Sequence, residues 1–535
     1  MNLKRLLLAV SLFFVAFVIR GETPFYGADP DDGDFSESCT SIMVGKEATT
    51  DGSVITAHTC DSNYRTWLEV TGRKNYEEGE TEPVYWGMLH NEEPWDRRNV
   101  VEKGRIPAVK ETFAYLNTAY PCLNEKQLAM GETTIVGRSE LVNKEGLFQI
   151  EELQRIALQR CSTSRDAVLL IGQLAEEYGY ADVGECLTIA DKNEIWQLEI
   201  FGSGPGKPSA IWVAQRVPDN HVAVSANIPR ISKVDFNDNN NYLYSTNIRE
   251  RCKELGLWNG KDDFVFWKIN NGKKPFSIRD YFVLNALAPS LNLQYDAEEL
   301  PFSVKPDKKV SVRDILALYR ETYEGTEWDQ TKNLAVEVTR RDRVRGEYKE
   351  VVKPVSNFMT NDMRDLLNHI KPGVTERVRG IAVIQCSYSQ IIQLRDWLPD
   401  EVGGVAWFSF DNPAQSPRMP IYSGTTSLPE SFNVCGQHRY RKDAAIWSFR
   451  ETNRIATINW NKTRSILEPE IMKFEDKMFM MAPVIEEAAV KLIEAGKTDE
   501  AKTLLTNHTH DFALMTMKRW EELKAQLWTI FARSM

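Results

Sequence analysis

An α+β fold, with sheets carrying helices on their outer sides and a helical C-terminal stretch, is what this 535-residue sequence predicts. Three observations point there. Two β-prone runs, "CTSIMVG" at 39–45 and "SVITAHTC" at 53–60, open the folded part. Residues 150–179 carry apolar residues at helical spacing, and from 187 onward the apolar period changes to two. Apolar residues make up 42% and charged residues 26%, with 14 Trp and 23 Phe, enough for a large core. A net charge of −11 and the lack of any Lys/Arg-rich run argue against a nucleic-acid partner.

The elements follow in chain order. Lys4 and Arg5 precede an apolar run from Leu6 to Ile19. That run is shorter than the roughly 20 residues of a membrane span and fits the apolar region of a signal peptide over 1–21. The expectation is export, to a periplasm or the exterior, with no stable membrane insertion once the signal is removed. Residues 22–38, "ETPFYGADPDDGDFSES", are acidic and rich in turn formers, and read as a connector or propeptide lost on maturation. Asp51-Gly52 then marks a hairpin between the first two strands. With the turn centred near Thr50-Asp51, paired positions sum to about 101, which puts Cys39 opposite 61–62 and Asp61 beside it.

"IEELQRIALQR" and "SRDAVLLIGQLAEEYG" read as two helices, with Ser162 or Thr163 as N-cap and Gly179 as stop. "LTIADKNEIWQLEIFG" reads as a hairpin around Asp191-Lys192-Asn193, and "AIWVAQRVPDNHVAVSANIPRI" as another around Pro218-Asp219-Asn220. Further on, 310–325 and 361–370 look helical, and 378–386 and 404–410 look like buried strands. The tail over 468–533 holds two or three amphipathic helices separated by "AGKTDEAK". These divisions give a catalytic domain over 39–467 and a helical C-terminal extension over 468–535.

Several chemistries are set aside. "GSGPGKPS" at 202–209 has the wrong glycine spacing for a phosphate loop and Pro208 where Ser or Thr is needed, and neither HExxH nor GxSxG occurs. Eight cysteines, at 39, 60, 122, 161, 186, 252, 386 and 435, form no CxxC pair and no Cys/His cluster with metal-ligand spacing, so no metal is expected. Most read as small buried hydrophobes. Cys39 differs, because it sits where the acidic segment meets the first strand. A Cys39–His58 dyad is one way to activate it.

The other way begins with cleavage of the Ser38–Cys39 bond. The freed α-amino group has an ordinary pKa of about 7.7–8.0 and can take the thiol proton, so nucleophile and base share one residue. A carboxylate must orient that amine, and neutral donors must hold the oxyanion. Asp61 is the candidate for the first, and Asn227, at a strand end in "VAVSANIPRI", for the second.

The stretches "CTSIMVG", "DGSVITAHTCDSN", "LNEKQLAMGETTIVGRSEL", "IEELQRIALQRCSTSRDA", "YGYADVGECLTIADKNEIWQLEIFG" and "IWVAQRVPDNHVAVSANIPRI", with "SPRMPIYSGTT" and the helical tail, resemble the family C69 dipeptidases, which are N-terminal-nucleophile (Ntn) hydrolases. The resemblance covers nearly all of the chain after residue 38. It implies a four-layer αββα sandwich, a Cys nucleophile uncovered by removal of the preceding segment, and dipeptide hydrolysis without metal or other cofactor. Cys39 matches the family's nucleophile, Asp61 the carboxylate that steadies its amine, and Asn227 the oxyanion Asn. His58 stands where much of the wider family has an Arg. The acylase branch's second oxyanion Asn has no clean counterpart, since the aligned "GETT" offers Glu132, Thr133 and Thr134, and its late catalytic Arg has no clear position.

For substrate contacts the candidates are His58, Glu132, Thr134 and Arg230. Glu132 is suited to a substrate α-ammonium and Arg230 to a substrate carboxylate. The expected partners are dipeptides, and a homo-oligomer is compatible with the sequence. Two rival readings stand beside this one. One is a non-peptide amidase of the bile salt hydrolase or penicillin V acylase type, and the other an exported binding protein that keeps the fold without the chemistry.

Overall fold

The computed structural model describes residues 37–94, 98–206 and 208–534. The expected signal peptide over 1–21 and most of the expected connector over 22–38 lie outside the described residues. The first strand, β1 (Glu37–Val44), pairs antiparallel with β2 (Val54–Ser62). Both sit inside a seven-stranded sheet whose order is Ser303–Val304, Val222–Ser225, β1, β2, Cys386–Leu394, Val405–Phe410, Met419–Tyr422. A second, eight-stranded sheet runs Tyr242–Tyr244, Ala210–Val217, Ile195–Gly202, Glu185–Ala190, Ala129–Thr134, Leu123–Asn124, Tyr115–Asn117, Glu69–Thr71. Neighbours are antiparallel in both sheets. All but the last residue of β2 are buried, so both of its faces are covered, as its near-continuous β-prone run requires.

The sheets meet through β1 and β2 on one side and Ala129–Thr134 and Glu185–Ala190 on the other. Polar side chains stitch that contact: Thr56 to Thr188 at 2.8 Å, Ser41 Oγ donating to the Glu132 carbonyl at 3.3 Å, and the Glu132 amide donating to His58 Nδ1 at 3.1 Å. Helices Ile150–Arg160 and Ser164–Tyr178 form as their spacing predicts. Thr163 caps the second through the Asp166 amide, and Gly179 at φ 87° ends it. That second helix packs on the strands of the second sheet, while helices Ile278–Leu287 and Val312–Tyr319 pack on the first. The fold is thus mixed α+β with antiparallel sheets and a helical C-terminal region.

Three sequence expectations are corrected. The β1–β2 register pairs Cys39 with Cys60 and Ser38 with Asp61. The turn therefore centres earlier than Thr50-Asp51, because the connection is a long loop rather than a tight hairpin. In that loop the Thr49 hydroxyl donates to the Ser53 carbonyl, and Asp51 accepts from the Ser53 amide and hydroxyl. The run "AIWVAQRVPDNHVAVS" is not a hairpin, since Ala210–Val217 joins the second sheet and Val222–Ser225 joins the first beside β1. The chain changes sheets at Pro218–Asn220 because the loop after β1 captures that corner. Gly45 donates to the His221 carbonyl, and Glu47 and Ala48 donate to the Asp219 carbonyl. A side chain at Gly45 would stand 2.4 Å from that same oxygen. Finally, the strand expected at 378–386 begins only at Cys386 and runs to Leu394.

The C-terminal region holds two long helices, Trp460–Glu494 and Thr498–Ser534, broken at Gly496 with φ 74°. The first spans the point 467/468 between the expected catalytic domain and extension. Helix Ala445–Thr457 packs against both Thr498–Ser534 and the strand Val405–Phe410. Its anchor is Asp411, which follows that strand, is fully buried, and accepts from Arg450 Nε and Asn453 Nδ2, both at 2.9 Å. Burial works to raise the Asp411 pKa, but Arg454 and Arg450 outweigh it and hold it below the ordinary value. Asp411 also sits at φ 59°, a conformation Asn tolerates, so Asp411→Asn keeps the backbone while removing the charge and replacing one acceptor oxygen by an NH2 donor. We expect a loss of about 3 kcal/mol in urea unfolding at pH 7. A lowered carboxyl pKa contributes stability that is present above the unfolded value and lost as pH falls through the folded one. Variant and parent should therefore converge in strong acid, and a difference that persists there would remove the charge from the explanation.

Candidate active site

Alternation along β1 sorts the site residues onto two faces. Cys39 and Ser41, with His58 and Cys60 opposite, face the second sheet, and Ser38 and Thr40, with Thr59 and Asp61, face the helices. The Cys39 side chain is fully buried, and its Sγ lies 3.7 Å from Glu132 Oε2 on the facing strand. Burial, the neighbouring Cys60 thiol and the Glu132 carboxyl together push the Cys39 pKa well above the ordinary thiol range, so the thiol is held protonated.

Asn227 stands at φ 64°, just past Val222–Ser225. That left-handed turn aims its side chain back along β1. Its Oδ1 accepts from the Cys39 amide at 2.9 Å, and its Nδ2 donates to the Thr134 carbonyl at 2.8 Å. The oxygen end of the amide therefore meets the nitrogen of residue 39, and one Nδ2 hydrogen is committed to Thr134. On the other face, Asp61 Oδ2 accepts from Thr59 Oγ1 at 2.8 Å and from Arg379 at 2.7 Å, while its buried Oδ1 has no partner. Arg379 also donates to the Ser38 hydroxyl at 2.7 Å, so one guanidinium joins Asp61 to the residue before Cys39.

Sequence reasoning assigned no role to Arg379, and none to Arg279. Arg279 opens the helix Ile278–Leu287, which Ser277 and Asp280 cap reciprocally. Its guanidinium donates to the Cys39 carbonyl at 2.6 Å, Thr40 Oγ1 at 3.0 Å, the Ala226 carbonyl at 3.0 Å and Asn227 Oδ1 at 2.9 Å. Burial, and then the nearby Arg379 charge, lower its pKa to about 10, so it stays a cation at neutral pH. Lysine keeps the charge but not the fork. Arg279→Lys should strand at least one of these buried acceptors and cost about 1–3 kcal/mol in chemical unfolding. An unchanged midpoint would mean that water or a lysine ammonium serves the acceptors equally well.

The remaining sequence candidates divide. His58 Nδ1 accepts from the Glu132 amide, and burial lowers its pKa to about 4, so the ring is neutral and anchors the strand that carries Glu132. Thr134 Oγ1 donates to Glu132 Oε1 at 3.2 Å, and its carbonyl holds Asn227. Arg230 is buried, with its guanidinium donating to the Pro275 carbonyl at 2.7 Å and the Pro301 carbonyl at 2.6 Å. Its backbone amide and that of Ile231 are held by Glu199. The structure therefore groups Cys39, His58, Asp61, Glu132, Thr134 and Asn227, and gives Arg230 protein partners away from the thiol.

Ligand atoms of Cys39, His58 and Glu132 lie within 4.8 Å of one another, so by type and spacing these three could hold a divalent ion such as zinc. No local spacing announces this set, because its members come from three strands in two sheets. All eight cysteines are buried and unpaired. No helix among the described residues is long and apolar enough to cross a membrane.

Residues 38–471 match the model of peptidase family C69. A "Probable dipeptidase" of Latilactobacillus sakei is 25% identical over 433 residues, covering 76% of this chain and 78% of that protein. A "Probable dipeptidase B" of Streptococcus pyogenes serotype M1 is also 25% identical, over 78% of each chain. "Dipeptidase A" of Lactobacillus helveticus is 21% identical over 498 residues, or 88% of this chain and 92% of that one.

Proposed function

Since the chain belongs to peptidase family C69, we propose that this peptide-bond hydrolase is an exported dipeptidase with an Ntn-type αββα sandwich, in which Cys39, freed at its amino end, is both nucleophile and base. The observation that carries this reading is the setting of the residue-39 nitrogen. It is buried, accepted by Asn227 Oδ1, and one ladder position from Asp61, whose Oδ1 lacks a partner. An amide nitrogen there has no basicity. An amine there has an ordinary pKa of about 7.7–8.0 and lies next to a thiol that needs a base.

Maturation breaks the Ser38–Cys39 bond. The new α-amine keeps its bond to Asn227 and gains Asp61 as counter-charge. In turnover the amine takes the Sγ proton, and the thiolate attacks the peptide carbonyl. The resulting ammonium returns the proton to the leaving amino acid, which departs as a free amine and leaves a thioester on Cys39. Water, deprotonated by the same amine, attacks the thioester and releases the second amino acid and the thiol. The second Nδ2 hydrogen of Asn227 is the side-chain donor assigned to the oxyanion, and Arg279 holds Asn227 and the Cys39 carbonyl in place. Export rests on the basic and apolar N-terminus over 1–21.

Amino-terminal sequencing of the secreted protein, with an assay on dipeptides, penicillin V and conjugated bile salts, tests the reading. The expected result is a chain starting at Cys39 that hydrolyses dipeptides. A chain still carrying residues before Cys39, or activity confined to the other amides, overturns it.

A further inference from the structure

We propose that Glu185, together with Glu132, forms the site that receives the free α-ammonium of the substrate, so that dipeptides with an unblocked amino end are accepted and N-acyl amides are refused. This deepens the dipeptidase reading and rests on it. Glu185 is not among the sequence candidates, since it lies just before the strand pattern that begins at 187.

The geometry comes from adjacent antiparallel strands. Thr134 pairs with Glu185 and Glu132 with Leu187, so Glu132 and Glu185 are diagonal neighbours on one face of the second sheet, their carboxyls in hydrogen-bonding contact. The opposite face, which carries Gly131, Thr133 and Thr188, meets the first sheet through Thr133–Ser225 and Thr56–Thr188, and the Glu132 side chain still comes within 3.7 Å of the Cys39 thiol. Both carboxyls are buried, Glu185 at 2% exposure, and neither has an ion-pair partner among the described residues. Glu185 Oε2 has no hydrogen-bond partner. Burial, and for Glu185 the charge of Glu132, hold both pKa values above the ordinary carboxyl range.

A second observation is a buried hydroxyl beside the same carboxyls. The Tyr180 hydroxyl is fully buried and unpartnered, and it is surrounded by Asp182, Glu185, Glu132 and Glu151. Arg65 is close enough for its charge to act on Glu151 and lower its pKa against burial. It is engaged with Asn117 Oδ1 and the Thr118 carbonyl and stacked 3.5 Å over Trp67. A buried carboxyl pair without a cation is costly to keep, and here it is kept next to the nucleophile.

Distance selects the α-ammonium rather than a side chain. In a dipeptide the α-nitrogen lies about 2.5 Å from the scissile carbonyl carbon, and an attacking sulfur approaches that carbon to about 3–3.5 Å. A carboxylate 3.7 Å from Sγ can meet that nitrogen when the substrate's amino end lies on the Glu132 side of the sulfur, whereas a side-chain cation would have to fold back to do so. An acyl group on the nitrogen removes the charge and leaves two buried carboxyls facing an uncharged amide, a mismatch of the kind that separates substrates by about 10⁴-fold.

The test compares Ala-Ala with its des-amino analogue propionyl-alanine, using protein shown by sequencing to begin at Cys39. The parent should favour Ala-Ala by about 10⁴-fold in kcat/KM. Glu185→Gln should shrink that preference at least tenfold, chiefly by raising KM for Ala-Ala, with kcat changed far less. As a measurement on the parent alone, 2-aminopropane should compete with Ala-Ala and propan-2-ol should not. An undiminished preference in Glu185→Gln, or equal inhibition by amine and alcohol, overturns the assignment. Matured protein that cleaves no dipeptide at all overturns the dipeptidase reading instead.

Discussion

Cys39→Ala should abolish dipeptide hydrolysis and leave the chain uncut before residue 39, while the protein still folds. The side chain is fully buried, and its polar contacts are a long one to Glu132 and one to Cys60, so deleting the sulfur opens a cavity of about one atom. The expected stability cost is on the order of 1 kcal/mol, small beside the loss of the only thiol that the mechanism uses. Turnover reads the first outcome, intact mass the second and urea unfolding the third. Turnover by Cys39→Ala protein would end the nucleophile assignment. A matured Cys39→Ala protein without turnover would keep the nucleophile and transfer cleavage of the Ser38–Cys39 bond to another agent.

Asp61→Asn should lower kcat by about 10²–10³-fold with little change in KM, the scale on which a misplaced catalytic group loses rate. The carboxylate is fully buried and pairs with Arg379 at 2.7 Å, so stability falls as well, and a rate loss alone does not separate orientation of the amine from general damage. The pH profile does. A neighbouring carboxylate favours the ammonium form and raises the amine pKa, and the amine must be deprotonated to act. Removing the charge should therefore move the acid limb of kcat/KM to lower pH while the plateau drops. An acid limb that stays in place would make Asp61 a purely structural partner of Arg379.

The sequence told most where chemistry and local pattern coincide. The β1–β2 pair, the two helices after residue 150 and the candidacy of Cys39 follow from strand alternation, helical spacing and the meeting of an acidic segment with a thiol. What stayed hidden was decided at long range. Pro218-Asp219-Asn220 carries a turn signal whether the following strand folds back on its neighbour or crosses to the other sheet, and only the contacts of Gly45, Glu47 and Ala48 settle the question. Arg279 and Arg379 lie hundreds of residues after Cys39, and nothing in "SIRDYF" or "ERVRGI" distinguishes an arginine that will be buried against a nucleophile from one that stays solvated. Glu185 was hidden for the same reason, since its meaning depends on Glu132 in the adjacent strand.

The place of residue 39 in β1 has a consequence for the timing of order. Chain ends are ordinarily the most mobile part of a domain, and a catalytic amine at such an end would lose entropy each time it was brought to bear. Here the residue is threaded between two neighbours while still mid-chain, with Glu37 and Ser38 paired to Ser62 and Asp61 on one side and Ser41 paired to Ser225 on the other. On the proposed maturation, the whole-chain fold bears the cost of immobilising the terminus before that terminus exists. Cutting the Ser38–Cys39 bond would then create a free amine already at rest, and a chain synthesised to begin at Cys39 would have to find the same arrangement from a loose end.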